Sequence, residues 1–407
     1  MKLGIGDFTY DDLYDLHRLN ELAAAFDSFL DPDLFRRFDD YRTAKTSLNE
    51  PDESALLIAV SRELGKFLKQ LFGADDAPIK WRTERDAEVA RFKKEFVAKR
   101  VAKWSGGFQS AYGPNLDKHI SEIELALIAN RLLDQLKENP TSEELRTQVD
   151  QLVAWCALQW KTGRFKGWTS FRLPQPLVFD KLVPTEAVDE HRSGGDHHHF
   201  RRRDGFGLTD PRMDPREITD EAHYCIYCHE RKKDSCSKGF PQPNGTYKPN
   251  PLGMALEGCP LDERIGEMNL LRAGGDAIAA LAMVLIDNPM APGTGHRICN
   301  DCMRACIFQK QDPVNIPQIE TGVLTDVLFL PWGFEIYSLL TRWNPLNIKR
   351  PVALPYNGKN VLVVGLGPAG YTLAHYLANE GFGVVAVDGL KIEPLDGDSG
   401  QRAAGSG

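Results

Sequence analysis

Seven of the chain's eight cysteines fall between Cys225 and Cys306, and this crowding constrains the fold more than any other feature. In a chain of 407 residues such a cluster reads as metal ligation rather than as a disulfide framework. The order is Cys225-Ile-Tyr-Cys228, Cys236, Cys259-Pro260, Cys299-Asn-Asp-Cys302 and Cys306. Two residues between cysteines let both thiolates reach one centre from a single turn. The proline after Cys259 turns the chain away behind its thiolate. Thiolates suit iron–sulfur clusters and zinc alike, so two readings stand at this point. One is iron–sulfur clusters. The other is a pair of zinc sites, one with four cysteines and one with three cysteines plus His229 or His296. Cys156 lies far away on a helical pattern and reads as a small buried apolar residue.

Upstream of about residue 175, apolar residues recur three and four apart, as in SALLIAVSRELGKFLKQLF and ISEIELALIANRLLDQLKE. This predicts an α-helical domain over 1–175 with no catalytic motif, able to serve in docking or oligomerisation. Ser142, ahead of Glu143 and Glu144, offers a helix start. Residues 176–222 are rich in Pro, Gly, His and charge, and read as a long linker. His197, His198 and His199 fall there and read as a solvated tract. The net charge of −8 argues against a general nucleic-acid binder, although Arg201, Arg202 and Arg203 form a local basic patch. The start lacks an apolar stretch behind basic residues, and the apolar segment from Thr321 to Leu340 is interrupted by Asp326, Pro331 and Glu335. A cytoplasmic protein without a membrane span is expected.

Near residue 358 the pattern changes. KNVLVVGLGPAGYTLAHYLANEGFGVVAVD, from Lys359 to Asp388, reads strand, glycine turn, helix, strand. Gly365, Gly367 and Gly370 make G-x-G-x-x-G, with Pro368 and Ala369 opening the helix. The first glycine serves the tight turn, the second lets a pyrophosphate approach the helix N-terminus, and the third allows close helix–strand packing. Ala374 and Gly381 are expected to keep that interface tight. Asp388 stands where a carboxylate receives ribose hydroxyls.

The segment from Cys225 to about Leu330 resembles the N-terminal iron–sulfur domain of dihydropyrimidine dehydrogenase and of the glutamate synthase small subunit. The matching features are the paired cysteines, Cys259-Pro260, Asp287-Asn288-Pro289, the group ending at Cys306, and Pro313-Val314-Asn315-Ile316 with an acid after it. The resemblance implies two [4Fe–4S] clusters. Cys225, Cys228, Cys236 and Cys306 would hold one. Cys259, Cys299 and Cys302 would hold the other, with Glu320 at the non-cysteine position. It also implies FAD at the glycine turn, NAD(P)H as electron source in the complete enzyme, and an acceptor domain or subunit. The chain departs from the family in a longer Cys228–Cys236 interval, an insertion KGFPQPNGTYKPNPLGMALEG before Cys259, and a shortened second group.

The expected fold is mainly α. A helical domain (1–175) and a linker (176–222) precede a helical two-cluster iron–sulfur domain (223–350). The opening βαβ of a Rossmann-like FAD-binding domain (351–396) and a disordered tail (397–407) follow. The expected function is an iron–sulfur flavoprotein oxidoreductase component, truncated in its flavin domain. The alternatives are an electron-transfer subunit completed by another chain, and a zinc-stapled helical interaction protein.

Overall fold

The computed structural model describes residues 1–106, 119–183, 185–195 and 212–389. The histidine triplet at 197–199, the arginines at 201–203, residues 390–396 and the tail 397–407 lie outside them, as do the side chains of His296 and Arg297. The described chain is mainly helical and forms two compact units, Met1–Pro351 and Val352–Gly407.

The first unit opens with α1 (Leu16–Phe29), α2 (Pro32–Arg42) and α3 (Glu50–Phe72), each started by a polar side chain. Asp15, Asp31 and Asn49 accept hydrogen bonds from the first free backbone N–H groups of these helices. Helix α3 stops at Gly73, whose φ of 61° suits a residue without Cβ. Helix α4 (Ala77–Arg91) runs into a π-helical turn, Phe92–Val97. Helices α5 (Glu122–Glu138) and α6 (Glu143–Lys161) follow, with a Ser121–Glu124 capping box and a Ser142 cap. Phe92, Phe96, Val149, Phe165 and Phe171 form one core with Cys156, which is fully buried there.

After residue 175 the chain does not run free. Leu177 N–H donates to the Lys310 carbonyl, and strands β1 (Thr185–Ala187) and β2 (Ser193–Gly195) form a small antiparallel hairpin. Helix α7 (Pro215–Tyr224) then begins on a capping box between Asp214 and Glu217. The linker expected over 176–222 is corrected here: α7 buries Ile218, Thr219 and Ala222. Its Asp-Pro-Arg-Glu start is a helix signal that the polar composition obscured.

Further helices are α8 (Ser235–Lys238), α9 (Ile265–Ala273), α10 (Ala277–Val284), α11 (Ala291–Ile298), α12 (Asp301–Arg304), α13 (Ile316–Leu328) and α14 (Gly333–Leu340). Helix α10 is buried along its whole length and lies on α3, where Gly65 faces Ala279. A Cβ at Gly322 of α13 would fall 2.5 Å from Ile218 Cδ1, so α7 and α13 approach closely here.

The division expected at residue 175 is therefore not a division between compact units. Polar contacts tie the early helices to the cysteine region. Arg216 reaches Asp86 at 2.9 Å and Glu122 at 3.0 Å. The fully buried Arg272 lies 3.0 Å from Asp326 and 3.1 Å from Thr83. Ser54 donates to Glu267, and Arg62 reaches Asp276 at 2.9 Å. Helix α3 packs on α9 and α10, and α4 packs on α7.

In the second unit, β3 (Asn360–Val364) and β4 (Gly383–Val387) pair in parallel, with α15 (Pro368–Asn379) crossing between them. Leu362 pairs with Val385 and Val364 with Val387, and all four are exposed. This is one βαβ step; the described residues form no Rossmann-type sheet. No described helix is long and apolar enough to cross a membrane, because the segment after α13 breaks at Pro331 and Trp332 takes φ 63°.

Candidate metal centre

Helix α7 ends on Cys225, whose backbone N–H donates to the Glu221 carbonyl. The next turn is set by two left-handed residues, Tyr227 at φ 52° and Lys232 at φ 54°, with Cys228 between them. Cys236 sits in the short helix α8, and Cys306 follows α12, its N–H donating to the Met303 carbonyl at 3.2 Å. Cys225, Cys228, Cys236 and Cys306 all line one cavity, together with Asn269 and Ser235. Tyr224 stacks on Phe308 at 4.6 Å and 10°, fixing the chain on both sides of Cys225 and Cys306.

The insertion before Cys259 is pinched at its base. Gly239 has φ 70°, and a Cβ there would lie 2.4 Å from the Leu256 and Glu257 carbonyl oxygens. Gly258 has φ 86°, and its Cβ would lie 2.4 Å from Gly239 N. Only residues without side chains let the two legs approach this closely. The excursion therefore leaves and returns at one point, and Cys259 N–H donates to the Cys236 carbonyl at 2.9 Å.

Cys259, Cys299 and Cys302 form the second group: the Cys299 charge raises the thiols of Cys259 and Cys302, and the Cys259 charge raises that of Cys302. Cys302 is buried and Cys299 exposed. Two carboxyls join them. Glu320, on α13, is 7% exposed and accepts a hydrogen bond from Asn288. Burial pushes its carboxyl up to about 7. Glu263, four residues after Cys259, was not singled out in the sequence, yet its charge acts on all three cysteines. Its own carboxyl is pushed well above the usual range by burial and then by the Glu320 charge. The signal that could have found it is an acid one turn after the Cys-Pro pair.

Burial raises every thiol in both groups. Cys225 is pushed up to about 11 and Cys259 to about 12. Backbone N–H groups work the other way. Tyr227 N–H donates to Cys225 Sγ at 3.4 Å, and the backbone at Phe308, Val314 and Ile307 favours the Cys306 thiolate. Amides aimed at sulfur are of use to a thiolate held by a metal, since coordination deprotonates the thiol outright.

Among the described residues, no three His, Cys, Asp or Glu side chains converge on a point that could hold a single metal ion. The first four thiols instead share a cavity. Around it lie buried polar atoms that make no full-geometry hydrogen bond among the described residues, both amide atoms of Asn269 and Ser235 Oγ, with the Asn269 amide bearing on the Cys225 sulfur. Four thiols and these buried donors fit a sulfur-bearing group in that cavity. His229 is buried against Gly266, where a Cβ would fall 2.1 Å from its Nδ1.

At the glycine turn, Gly365 has φ 94°, and a Cβ at Gly365 or Gly367 would meet nothing within 4 Å. At Gly370 a Cβ would lie 1.8 Å from the Gly365 carbonyl oxygen, so the helix sits directly on the turn. Pro368 and Ala369 open α15. Gly381 packs on the Pro355 carbonyl, 2.3 Å from where its Cβ would be, rather than on the α15–β3 interface. The Asp388 carboxylate accepts from Leu366 N–H, holding the turn from the end of β4.

Comparison with known proteins matches residues 3–73 to the model of the RP005 N-terminal alpha-helical domain. The uncharacterized protein RP006 of Rickettsia prowazekii (strain Madrid E) is 61% identical over 106 residues, covering 26% of this chain and 15% of its own length. The uncharacterized protein RP005 of the same organism is 26% identical over 314 residues, covering 67% of this chain and 99% of its own length. The chain thus spans 15% of the length of RP006. These findings correct the resemblance to the dihydropyrimidine dehydrogenase and glutamate synthase family: no iron–sulfur or FAD oxidoreductase family is matched. The physical reason is that short cysteine spacings and glycine turns are dictated by metal and phosphate geometry, and so recur without common descent.

Proposed function

We propose that this chain is an electron-transfer component that holds iron–sulfur centres in its two cysteine groups. The carrying observation is that Cys225, Cys228, Cys236 and Cys306, contributed by separate segments, line one cavity together with the buried Asn269 and Ser235. Two [4Fe–4S] clusters are the proposed occupants. The second has Cys259, Cys299 and Cys302 as ligands, and Glu320 or Glu263 beside them. Such centres take up and release single electrons when bound. The chain's own residues exclude water from Cys236, Cys302 and Cys306, direct backbone N–H groups at the sulfurs, and keep the two groups adjacent through the Cys236–Cys259 bond. Cys299 is exposed, and we take the acceptor domain or subunit to approach on that side.

The glycine turn is proposed to receive the ADP part of FAD, with NAD(P)H as the ultimate electron source. The open space at Gly365 and Gly367 supports this, and so does the N-terminus of the twelve-residue α15 behind them. Asp388, held to Leu366 at the end of β4, is the proposed acceptor for the ribose hydroxyls.

Anaerobic purification tests the central claim. Two such clusters require roughly eight iron and eight sulfide per chain. Stoichiometric zinc without sulfide, in protein never exposed to oxygen, would support a zinc-stapled interaction protein and overturn this reading.

A further inference from the structure

Asn269 lies in the middle of α9, is 0% exposed, and faces the cavity lined by the first four cysteines. Neither amide atom meets full hydrogen-bond geometry with a described residue, and the amide N–H acts on the Cys225 sulfur. A buried amide without a well-made hydrogen bond is destabilising, a penalty that an apolar residue at the same place would avoid. Leu271 and Met268, its neighbours on the same helix, are apolar and fully packed, so α9 does not need a polar side chain for its own folding. Ser235, 6% exposed on the same cavity, likewise makes no full-geometry hydrogen bond through its Oγ among the described residues. The amide favours the ionised form of Cys225 beside it, so its N–H edge is the one turned toward sulfur.

We propose that Asn269 is a positioning residue for the first iron–sulfur centre, donating its side-chain N–H to a sulfur in the cavity and raising that centre's reduction potential relative to the second. The inference rests on the function proposed above. Reduction adds negative charge to the sulfurs, and a donor aimed at them stabilises the reduced form more than the oxidised one. Ser235, which lines the same cavity, acts in the same sense. Both groups have carboxyls beside them, Asp234 at the first and Glu263 and Glu320 at the second, so the Asn269 amide is the donor that separates the two potentials.

The test uses the full chain, purified without oxygen, as wild type, Asn269→Leu and Asn269→Asp. Iron and sulfide content is read first. Absence of both in the wild type overturns the proposed function, and this inference with it. With both present, a redox titration followed by paramagnetic resonance reads the inference alone. Both variants are expected to keep their iron and to shift one centre to more negative potential. The shift should be at least tenfold in the oxidised-to-reduced ratio, about 59 mV for one electron. The other centre should not move. An unchanged midpoint in both variants, or equal movement of both centres, overturns the role of Asn269. A second measurement does not depend on any variant folding. In wild-type chain carrying ¹⁵N in its asparagine side chains, the reduced first centre should show a hyperfine coupling to an amide nitrogen. Its absence overturns the inference.

Discussion

The backbone N–H of Cys259 donates to the carbonyl of Cys236 at 2.9 Å, although an insertion separates the two residues. This bond joins the two cysteine groups. It exists because Gly239 and Gly258 let the legs of the insertion meet, which no residue with a Cβ at those positions would allow.

The first prediction follows from that pinch. Gly239 takes φ 70° and ψ −160°, a region open essentially to glycine alone. Gly239→Ala should destabilise the chain by about 2 kcal/mol or more. Urea denaturation reads the loss, and iron content after anaerobic purification should fall in parallel. A variant of wild-type stability would mean that the insertion is not held at its base.

The cysteines should partition by group. Cys225→Ser and Cys306→Ser should each remove roughly half of the iron, the share of one of two equal clusters, and abolish one resonance signal. Cys302→Ser should abolish the other. Glu320→Ala and Glu263→Ala should alter only the signal that Cys302→Ser removes. Cys156→Ala should leave both signals intact, since Cys156 belongs to the α4–α6 core. Signals that disappear together in every variant would contradict two separate centres.

Stability should depend on pH through Glu221. Burial lifts its carboxyl from the ordinary 4.5 to about 7, while the Asn315 N–H at 2.8 Å works against the rise. The folded chain therefore holds a proton there that the unfolded chain has already released. This contribution is fully present below about pH 4.5 and is lost as pH rises through about 7. Glu221→Gln keeps the acceptor and removes the titration. The metal-free variant should be more stable than the metal-free wild type at pH 7.5 by about 1–3 kcal/mol, with the difference vanishing near pH 4.5. A constant difference across that range would show that Glu221 does not titrate in it.

Arg216 should be needed for the packing of the early helices. It neutralises Asp86 and Glu122, both about nine-tenths buried, while itself remaining a third exposed. Arg216→Met should cost about 2–4 kcal/mol by leaving two buried carboxylates unpaired, somewhat discounted for its exposure. Adding Asp86→Asn and Glu122→Gln should restore much of the loss. If the triple variant is no better than Arg216→Met, the apolar stem of Arg216 matters more than its charge.

The sequence by itself determined the helices, because local physics writes them. Apolar residues three and four apart select a face, and Asp15, Ser121 and Ser142 satisfy the free N–H groups at helix starts. It likewise determined the strand–turn–helix at Gly365, since a left-handed turn and a close helix contact demand glycine. What it could not determine was which segments meet. Cys306 joins Cys225 across eighty residues of chain, Glu263 joins Glu320, and Arg216 closes on Asp86, all through contacts whose partners leave no periodic trace. Polar composition hid α7 for the same reason. Its buried face is completed by α4 and α13, and only the tertiary structure brings those helices to it. The burial that encloses Asn269 and raises Glu221 is a property of that assembled packing, where distant helices exclude water from groups that look ordinary in sequence.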